Sequence, residues 1–314
     1  MSSSVTFVGT GSYPAHITGF FTVHKYADPL RSGSTGAGIC ITGGVRCGVE
    51  ASKSSTSFLR IVSNGVEVSS PTCRSVVSQL LPREGYSISV RMQSLLPANY
   101  GYGISGSSAL SLATALNEAL RLGLSTMEIG TVAHVAEVEN MTGLGDVMAE
   151  MVGGLEVRVS PGAPGIGVAR QVPVERDSVV LSTPVVEYPT KMMLTNSQYV
   201  ERINLLGARA LDSFLESPTI ENFMIQSRRF WEGVGLLESP VLSVLRRYER
   251  AGILFPSVKK GIVFAVLDRD DLPRVLGRLA SRGGADGSGH VLMEGDLRLF
   301  VSEVHMRGVE WASG

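Results

Sequence analysis

The sequence predicts an α+β chain in two lobes, and three observations carry that prediction. At 314 residues it exceeds one typical domain, and its 44% apolar content is ample for a sizeable core. Short strands and turns fill the first eighty residues, and helical spacing sets in after residue 109. The 36 glycines imply many tight turns and loops, which a helical bundle does not need.

The first expected strands are Val5 to Val8 and the run Tyr13 to Phe21. A loop from Asp28 to Gly38 then leads into an apolar strand from Ile39. Val45 to Glu50 and Leu59 to Val62 continue the strand pattern, and Asn64-Gly65 is a hairpin signal that returns through Val66 to Ser69. Tyr86 to Leu96 sets Ile88, Val90 and Met92 against polar neighbours, as a half-buried strand does. Ala109, Leu112, Ala113, Leu116, Ala119 and Leu120 follow helical spacing and end at Gly123. Ser125-Thr-Met-Glu128 has capping-box spacing and opens a helix through about Asn140. A short helix from Asp146 to Met151 precedes Gly153-Gly154 and the strand Leu155 to Val159. The Pro- and Gly-rich loop Ser160 to Gly167 is the expected boundary between lobes 1–167 and 168–314. Beyond it the expected strands are Val179 to Leu181, Lys191 to Leu194, Gly261 to Leu267 and Leu297 to Val304. The expected helices are Ser197 to Glu216, Ile220 to Leu237, Pro240 to Ala251 and Asp271 to Arg282.

Bulk properties exclude several classes. A net charge of −1 with dispersed Lys and Arg gives no surface for a nucleic acid. Cys40, Cys47 and Cys73 lack the number and spacing of a disulfide framework or a zinc site, and read as small buried hydrophobes in a reducing compartment. The N-terminus has no basic region ahead of its short apolar stretch, and no window offers the roughly 18 apolar residues that cross a bilayer. A cytoplasmic protein without a membrane partner is expected.

The chemistry concentrates at Pro97-Ala-Asn-Tyr-Gly101-Tyr-Gly103-Ile-Ser105-Gly106-Ser107-Ser108-Ala109, between a strand and a helix. Glycines let the backbone approach an anion, and a new helix points unpaired N–H groups and its positive dipole end at it. Gly101-x-Gly103-x-x-Gly106 also matches the dinucleotide fingerprint. That fold requires a second parallel strand ending in an acidic residue about 20 positions on. Here a second helix follows, and Glu118 lies inside the first. No Gly-Lys-Ser/Thr follows the loop, and the His-Arg-Asp and Asp-Phe-Gly strings of protein kinases are absent.

With its downstream acidic residues, the loop resembles that of the GHMP small-molecule kinases, and more narrowly the archaeal pantoate kinase branch. The supporting strings are Pro14-Ala-His-Ile-Thr-Gly-Phe-Phe21, Gly33-Ser34-Thr-Gly-Ala-Gly38, the loop itself, Ala133-His134-x-Ala-Glu137 with Thr142-Gly-Leu-Gly-Asp146, and Gly162-Ala-Pro-Gly165. They occur in order over residues 14 to 167. The resemblance implies the GHMP two-lobe fold, with an N-terminal lobe like ribosomal protein S5 domain 2 and a ferredoxin-like C-terminal lobe. It implies ATP and Mg2+ as cofactors and phosphorylation of (R)-pantoate, on the route to coenzyme A. The alternatives are another small hydroxy acid or alcohol such as homoserine or mevalonate, or a non-catalytic nucleotide-binding regulator. A homodimer is one assembly this leaves open.

Roles follow the same resemblance. Pro97, Gly101, Gly103, Ser105, Gly106, Ser107 and Ser108 form the nucleotide loop. Ser107 and Glu137 hold Mg2+, although Ser107 alone also reads as an N-cap. Glu137 and Glu139 point to nearly opposite helix faces, and the family pattern selects Glu137, leaving Glu139 to solvent. Asp146 stands at the position of the catalytic aspartate, or as a bare residue is another N-cap. Ser34, His134 and Arg158 are candidates for the pantoate carboxylate, with His134 alone reading as a satisfied core histidine. His16 is left outside the site. The family's third glycine motif is not recognisable; Ser257-Val-Lys-Lys260-Gly261 occupies its place, with Gly283-Gly284 and Gly287-Ser288-Gly289 further on.

Overall fold

A computed structural model describes residues 6–81, 85–174, 177–188, 190–235, 237–279, 291–294 (as backbone) and 297–306. Val5, Arg282 and the glycines between 283 and 289 lie outside the described residues. The two longest strands organise the first lobe. β1 (Thr6–Phe21) and β2 (Gly36–Lys53) pair antiparallel, each fusing two strands that the sequence suggests separately. The fusion point is a bulge where Thr42, Gly43 (φ 92°) and Gly44 stand against Pro14 alone, between the Tyr13/Val45 and Ala15/Ile41 pairs, with Gly44 packed on Pro14. A bulge bends a strand without ending it, so glycines there are poor stop signals.

The other edge of β2 is shared between two partners. β5 (Tyr86–Ser94) takes its second half, and β6 (Leu155–Ser160) pairs with Gly36 to Ile39. β3 (Phe58–Ser63) runs parallel to β5, and β4 (Val66–Glu67) closes the expected hairpin through Asn64-Gly65. Four helices cover the sheet or one another: α1 (Pro71–Leu80), α2 (Ile104–Leu120), α3 (Thr126–Asn140) and α4 (Asp146–Val152). α2 lies directly on β1, where a Cβ on Gly9 or Gly11 would overlap the helix backbone. The capping box of Ser125 and Glu128 forms as expected. α1 is an addition to the expected strands; Ser70 accepts from the Cys73 N–H at 3.2 Å and Pro71 occupies the first turn. β7 (Val168–Val172) pairs with β6, so the first sheet extends past residue 167.

The second sheet runs β11-β12-β8-β10-β9, all neighbours antiparallel. Its strands are β8 (Ser178–Pro184), β9 (Ser257–Lys259), β10 (Ile262–Asp268), β11 (Val291–Glu294) and β12 (Leu297–Glu303). Helices α5 (Thr190–Thr195), α6 (Ser197–Glu216), α7 (Ile220–Val234) and α8 (Ser239–Arg250) connect β8 to β9, and α9 (Leu272–Leu279) follows β10. With β10 between β8 and β9, this is the split β-α-β of a ferredoxin-like lobe. Lys191 to Leu194, expected as a strand, is helical within α5. So short an apolar run has no period to separate helix from strand.

One apolar core joins the lobes. Phe20 of β1 packs with Phe214 of α6 and Phe223 of α7, and Phe223 with Phe264 of β10. β1 alternates in burial at first, then is buried continuously from Pro14 to Phe20, where elements of both lobes flank it. The three cysteines are buried as expected, and desolvation pushes the Cys47 thiol up to about 12 and that of Cys73 to about 11.

Candidate active site

The glycine loop climbs from β5 to α2 through left-handed backbone at Asn99 (φ 69°), Gly101 (122°) and Gly103 (68°). Gly103 is the N-cap and supplies no side chain, so the N–H groups of the first turn stay available to an anion. A Cβ at Gly103 would stand 2.7 Å from Glu150 Oε1. The loop is fastened to both lobes. His16 N–H donates to Tyr102 O (2.9 Å), Tyr188 N–H to Asn99 O (2.9 Å), and the buried Tyr102 hydroxyl to Ser182 Oγ (3.0 Å).

The loop hydroxyls divide. Ser107 is fully buried and faces the sheet, donating to Tyr13 O (2.9 Å) and accepting from Val45 N–H (3.0 Å). Ser105 faces the other way, with Oγ 3.5 Å from Thr72 Oγ1 and a hydrogen bond to Glu137. Thr72 and Thr142 hydroxyls lie 3.0 Å apart, and Thr142 donates to Glu137 Oε1 at 2.6 Å. Glu137 Oε2 is buried without a hydrogen-bond partner. Burial, then the charge of Asp146, pushes the Glu137 carboxyl up to about 7, against hydrogen bonds from Ser105 and Thr142. An orphaned acidic oxygen beside a hydroxyl, both hard donors, fits Mg2+. Among the described residues no cluster of three or more acidic, His or Cys side chains forms a metal cage, and Mg2+, usually held by one or two carboxylates plus phosphates, needs none. Glu139 is exposed, as expected, and accepts from Ser75 Oγ at 3.3 Å.

Asp146 opens α4 after Thr142-Gly-Leu-Gly, where a Cβ on Gly143 would overlap the Glu137 carboxylate. Its Oδ1 lies 2.7 Å from His16 Nδ1, 3.4 Å from Thr18 Oγ1 and 3.5 Å from Lys259 Nζ. Burial raises the Asp146 carboxyl, and the charges of Lys259 and His16 with the His16 bond more than reverse this, holding it well below the usual range. His16 Nε2 lies 3.1 Å from Glu156 Oε1, which also accepts from Arg158 Nη1. Glu156 and Arg158, two apart on β6, share a strand face. Arg158 Nε is buried and partnerless. A cleft runs past Thr18, Ser34, Asp146, Arg158, Lys259 and Lys260.

The structure therefore brings Ser34, Arg158 and Asp146 together, with Glu137 and Ser105 nearby. It puts His134 elsewhere: its ring is buried with Nε2 2.9 Å from Ser32 O, holding the loop that carries Ser34 against α3. Burial lowers its pKa. Pro97 and Ser108 are half-buried at the start and end of the loop, and Gly106 packs beneath Glu150 and Asp146. Residues outside the sequence reading complete the site. The sequence leaves His16 outside the site, and Glu150, Glu156, Lys259 and Lys260 are not among its candidate site residues. Opposite charges two apart between Leu155, Val157 and Val159 were the available signal for Glu156. The Lys259-Lys260 pair sits where the third motif was sought. Burial and then Lys259 push the Lys260 amine down to about 8, and its Nζ donates to Thr190 Oγ1 at 2.5 Å.

Comparison with known proteins agrees with this architecture. Residues 72–154 match the GHMP kinases N terminal domain. A pantoate kinase of Methanocaldococcus jannaschii is 37% identical over 233 residues, covering 74% of this chain and 82% of the relative. A pantoate kinase of Thermococcus kodakarensis is 33% identical over 242 residues, covering 76% and 79% respectively. Among solved structures, a phosphotransferase related to the CoA biosynthesis pathway superposes with a TM-score of 0.82 at 28% identity, covering 96% of this chain and 97% of the other. L. major mevalonate kinase shares the fold at 13% identity, with a TM-score of 0.64 and coverage of 97% and 99%. The chain belongs to the GHMP kinase family of small-molecule kinases, in the group of the archaeal pantoate kinases.

Proposed function

We propose that the protein transfers the γ-phosphoryl group of ATP to the primary hydroxyl of (R)-pantoate, giving (R)-4-phosphopantoate for coenzyme A biosynthesis. The observation that carries this reading is the cleft itself, lined by an ionised Asp146 and by Arg158, whose unused Nε lies beside Ser34. That pair of groups suits an acceptor bearing both a hydroxyl and a carboxylate. A guanidinium with a free N–H edge is the preferred partner for a planar acid group.

The triphosphate lies at the N-terminus of α2, over the glycine loop. Mg2+, when bound, neutralises charge on the phosphates. Glu137 Oε2 and the Ser105 hydroxyl would hold it. The resemblance gave this place to Ser107, whose hydroxyl is committed to Tyr13 and Val45. Asp146, held far below the usual range, is too weak a base to strip the hydroxyl in the ground state. It accepts a hydrogen bond from that hydroxyl, aims its oxygen at phosphorus, and takes the proton as the P–O bond forms. Lys259 and Lys260 bring positive charge from the second lobe to the same place. His134 acts at one remove, by fixing the Ser32–Ser34 backbone.

The setting is the cytoplasm, with pantoate and ATP as partners and neither nucleic acid nor membrane. Among the described residues no helix is long and apolar enough to cross a bilayer. ADP release measured with pantoate, homoserine and mevalonate as acceptors tests the reading. Turnover with pantoate alone supports it, and turnover confined to another acceptor replaces the substrate while keeping the family.

A further inference from the structure

A continuous buried chain runs from Arg158 to the reacting end of the cleft. Arg158 Nη1 donates to Glu156 Oε1, and His16 Nε2 lies 3.1 Å from the same oxygen. His16 Nδ1 then reaches Asp146 Oδ1 at 2.7 Å, the atom that Lys259 Nζ approaches at 3.5 Å. His16 and Glu156 are each 0% exposed and neither lines the cleft. Burying so many charges costs desolvation that a well-packed apolar cluster avoids, so scaffolding alone is a poor account of them. The surroundings are also cut to the ring: a Cβ on Gly38 would overlap His16. Asp146, held ionised, only accepts, so the ring donates to it from Nδ1.

We propose that His16 and Glu156 are positioning residues that couple the acceptor's carboxylate, seated on Arg158, to the orientation of Asp146. The proposal rests on the function given above for Arg158 and Asp146. Glu156 Oε1 serves two partners at once. An acid group that engages Arg158 draws the guanidinium away from Glu156 and leaves that oxygen to His16, which holds the Asp146 carboxylate in one orientation. Recognition of the acid then appears in turnover as well as in binding, and a neutral analogue loses both.

The test is steady-state kinetics of the full chain with ATP and either pantoate or its neutral carboxamide, for wild type, H16N, H16Q and E156Q. Asparagine places an amide N–H near the position of Nδ1, and glutamine near that of Nε2. E156Q is expected to lower kcat on pantoate by about 30-fold without raising KM, because Arg158 loses its internal competitor for the substrate. The kcat ratio of acid to amide is expected to shrink about tenfold in the same variant. H16N, which keeps the donor to Asp146, retains about tenfold more kcat than H16Q. If the variants lower kcat on both acceptors by one common factor, His16 and Glu156 are scaffold and the proposal fails. Should the His16 variants not fold, the isosteric E156Q decides alone, and an unchanged acid-to-amide ratio overturns the coupling. A wild-type chain inactive on pantoate overturns the function as well, whereas wild-type turnover with an unchanged ratio overturns only the coupling.

Discussion

The two ends of the site follow opposite electrostatic rules. At the phosphate end, Glu137 Oε2 and both oxygens of the buried Glu150 have no hydrogen-bond partner. Burial raises both carboxyls, and neighbouring acids raise them further. At the acceptor end, negative groups meet positive ones: Asp146 with His16 and Lys259, Glu156 with His16 and Arg158. The difference shows at which end the chain supplies its own counter-charges. On the proposed function, His16 and Lys259 already supply the counter-charge of Asp146 before the hydroxyl arrives. The phosphate end is a set of unpaired acidic oxygens beside the start of α2, which on the proposed function a cation and an anion would satisfy together.

The largest expected effect comes from breaking the completed end. Asp146→Asn keeps the shape and removes the charge, and kcat is expected to fall about 1,000-fold. Calorimetry with a non-hydrolysable ATP analogue should show binding retained. A variant within tenfold of wild type would move the proton-accepting role to another group.

The unfinished end makes the reverse prediction for stability. A carboxyl raised from 4.5 to about 7 binds its proton more tightly in the folded chain than in the unfolded one. Its contribution is whole below pH 4.5 and disappears as the pH rises through 7. Without Mg2+ and ATP, stability should therefore fall with pH over that window by roughly 3 kcal/mol from this group. Glu137→Gln should flatten that part of the slope and lower kcat/KM at least about 100-fold. Denaturant melts between pH 5 and 8 read the first effect, and an unchanged slope in the variant assigns it to another group.

Arg158→Lys sharpens the comparison from the substrate side. Lysine keeps the charge but loses the planar fork, so KM for pantoate should rise about 50-fold, with a smaller change in kcat. A dominant loss of kcat would place Arg158 on the phosphoryl group instead. The smallest effect separates two serines. Ser107→Ala leaves Tyr13 O and Val45 N–H unsatisfied and should cost about 1–2 kcal/mol in denaturant stability. Ser105→Ala should raise the Mg2+ concentration needed for half-maximal rate. The opposite pattern would return the metal-facing hydroxyl to Ser107.

Local signals were legible where one element explains itself. The Ser125–Glu128 capping box, the Asn64-Gly65 hairpin and the whole of α6 follow from short windows of sequence. β1 and β2 were read as fragments because a bulge and a break look alike until the partner strand is seen. Glu137 and Asp146 stood out because each lies in a short string. His16, Glu156 and Lys259 did not, since their meaning comes from pairing across 113 to 243 residues of chain. The orientation of Ser107 depends on the approach of α2 to β1, which no linear string records.

The stitching of the glycine loop has a mechanical consequence. Tyr102 is bonded through its carbonyl to His16 in the first lobe and through its hydroxyl to Ser182 in the second. A hinge opening between the sheets must either sever the Tyr102–Ser182 link or drag the loop off the start of α2. In both cases the grip on the phosphates loosens as the lobes part, so on the proposed function release of the spent nucleotide and widening of the cleft would be geared together through Tyr102 and the Tyr188–Asn99 link.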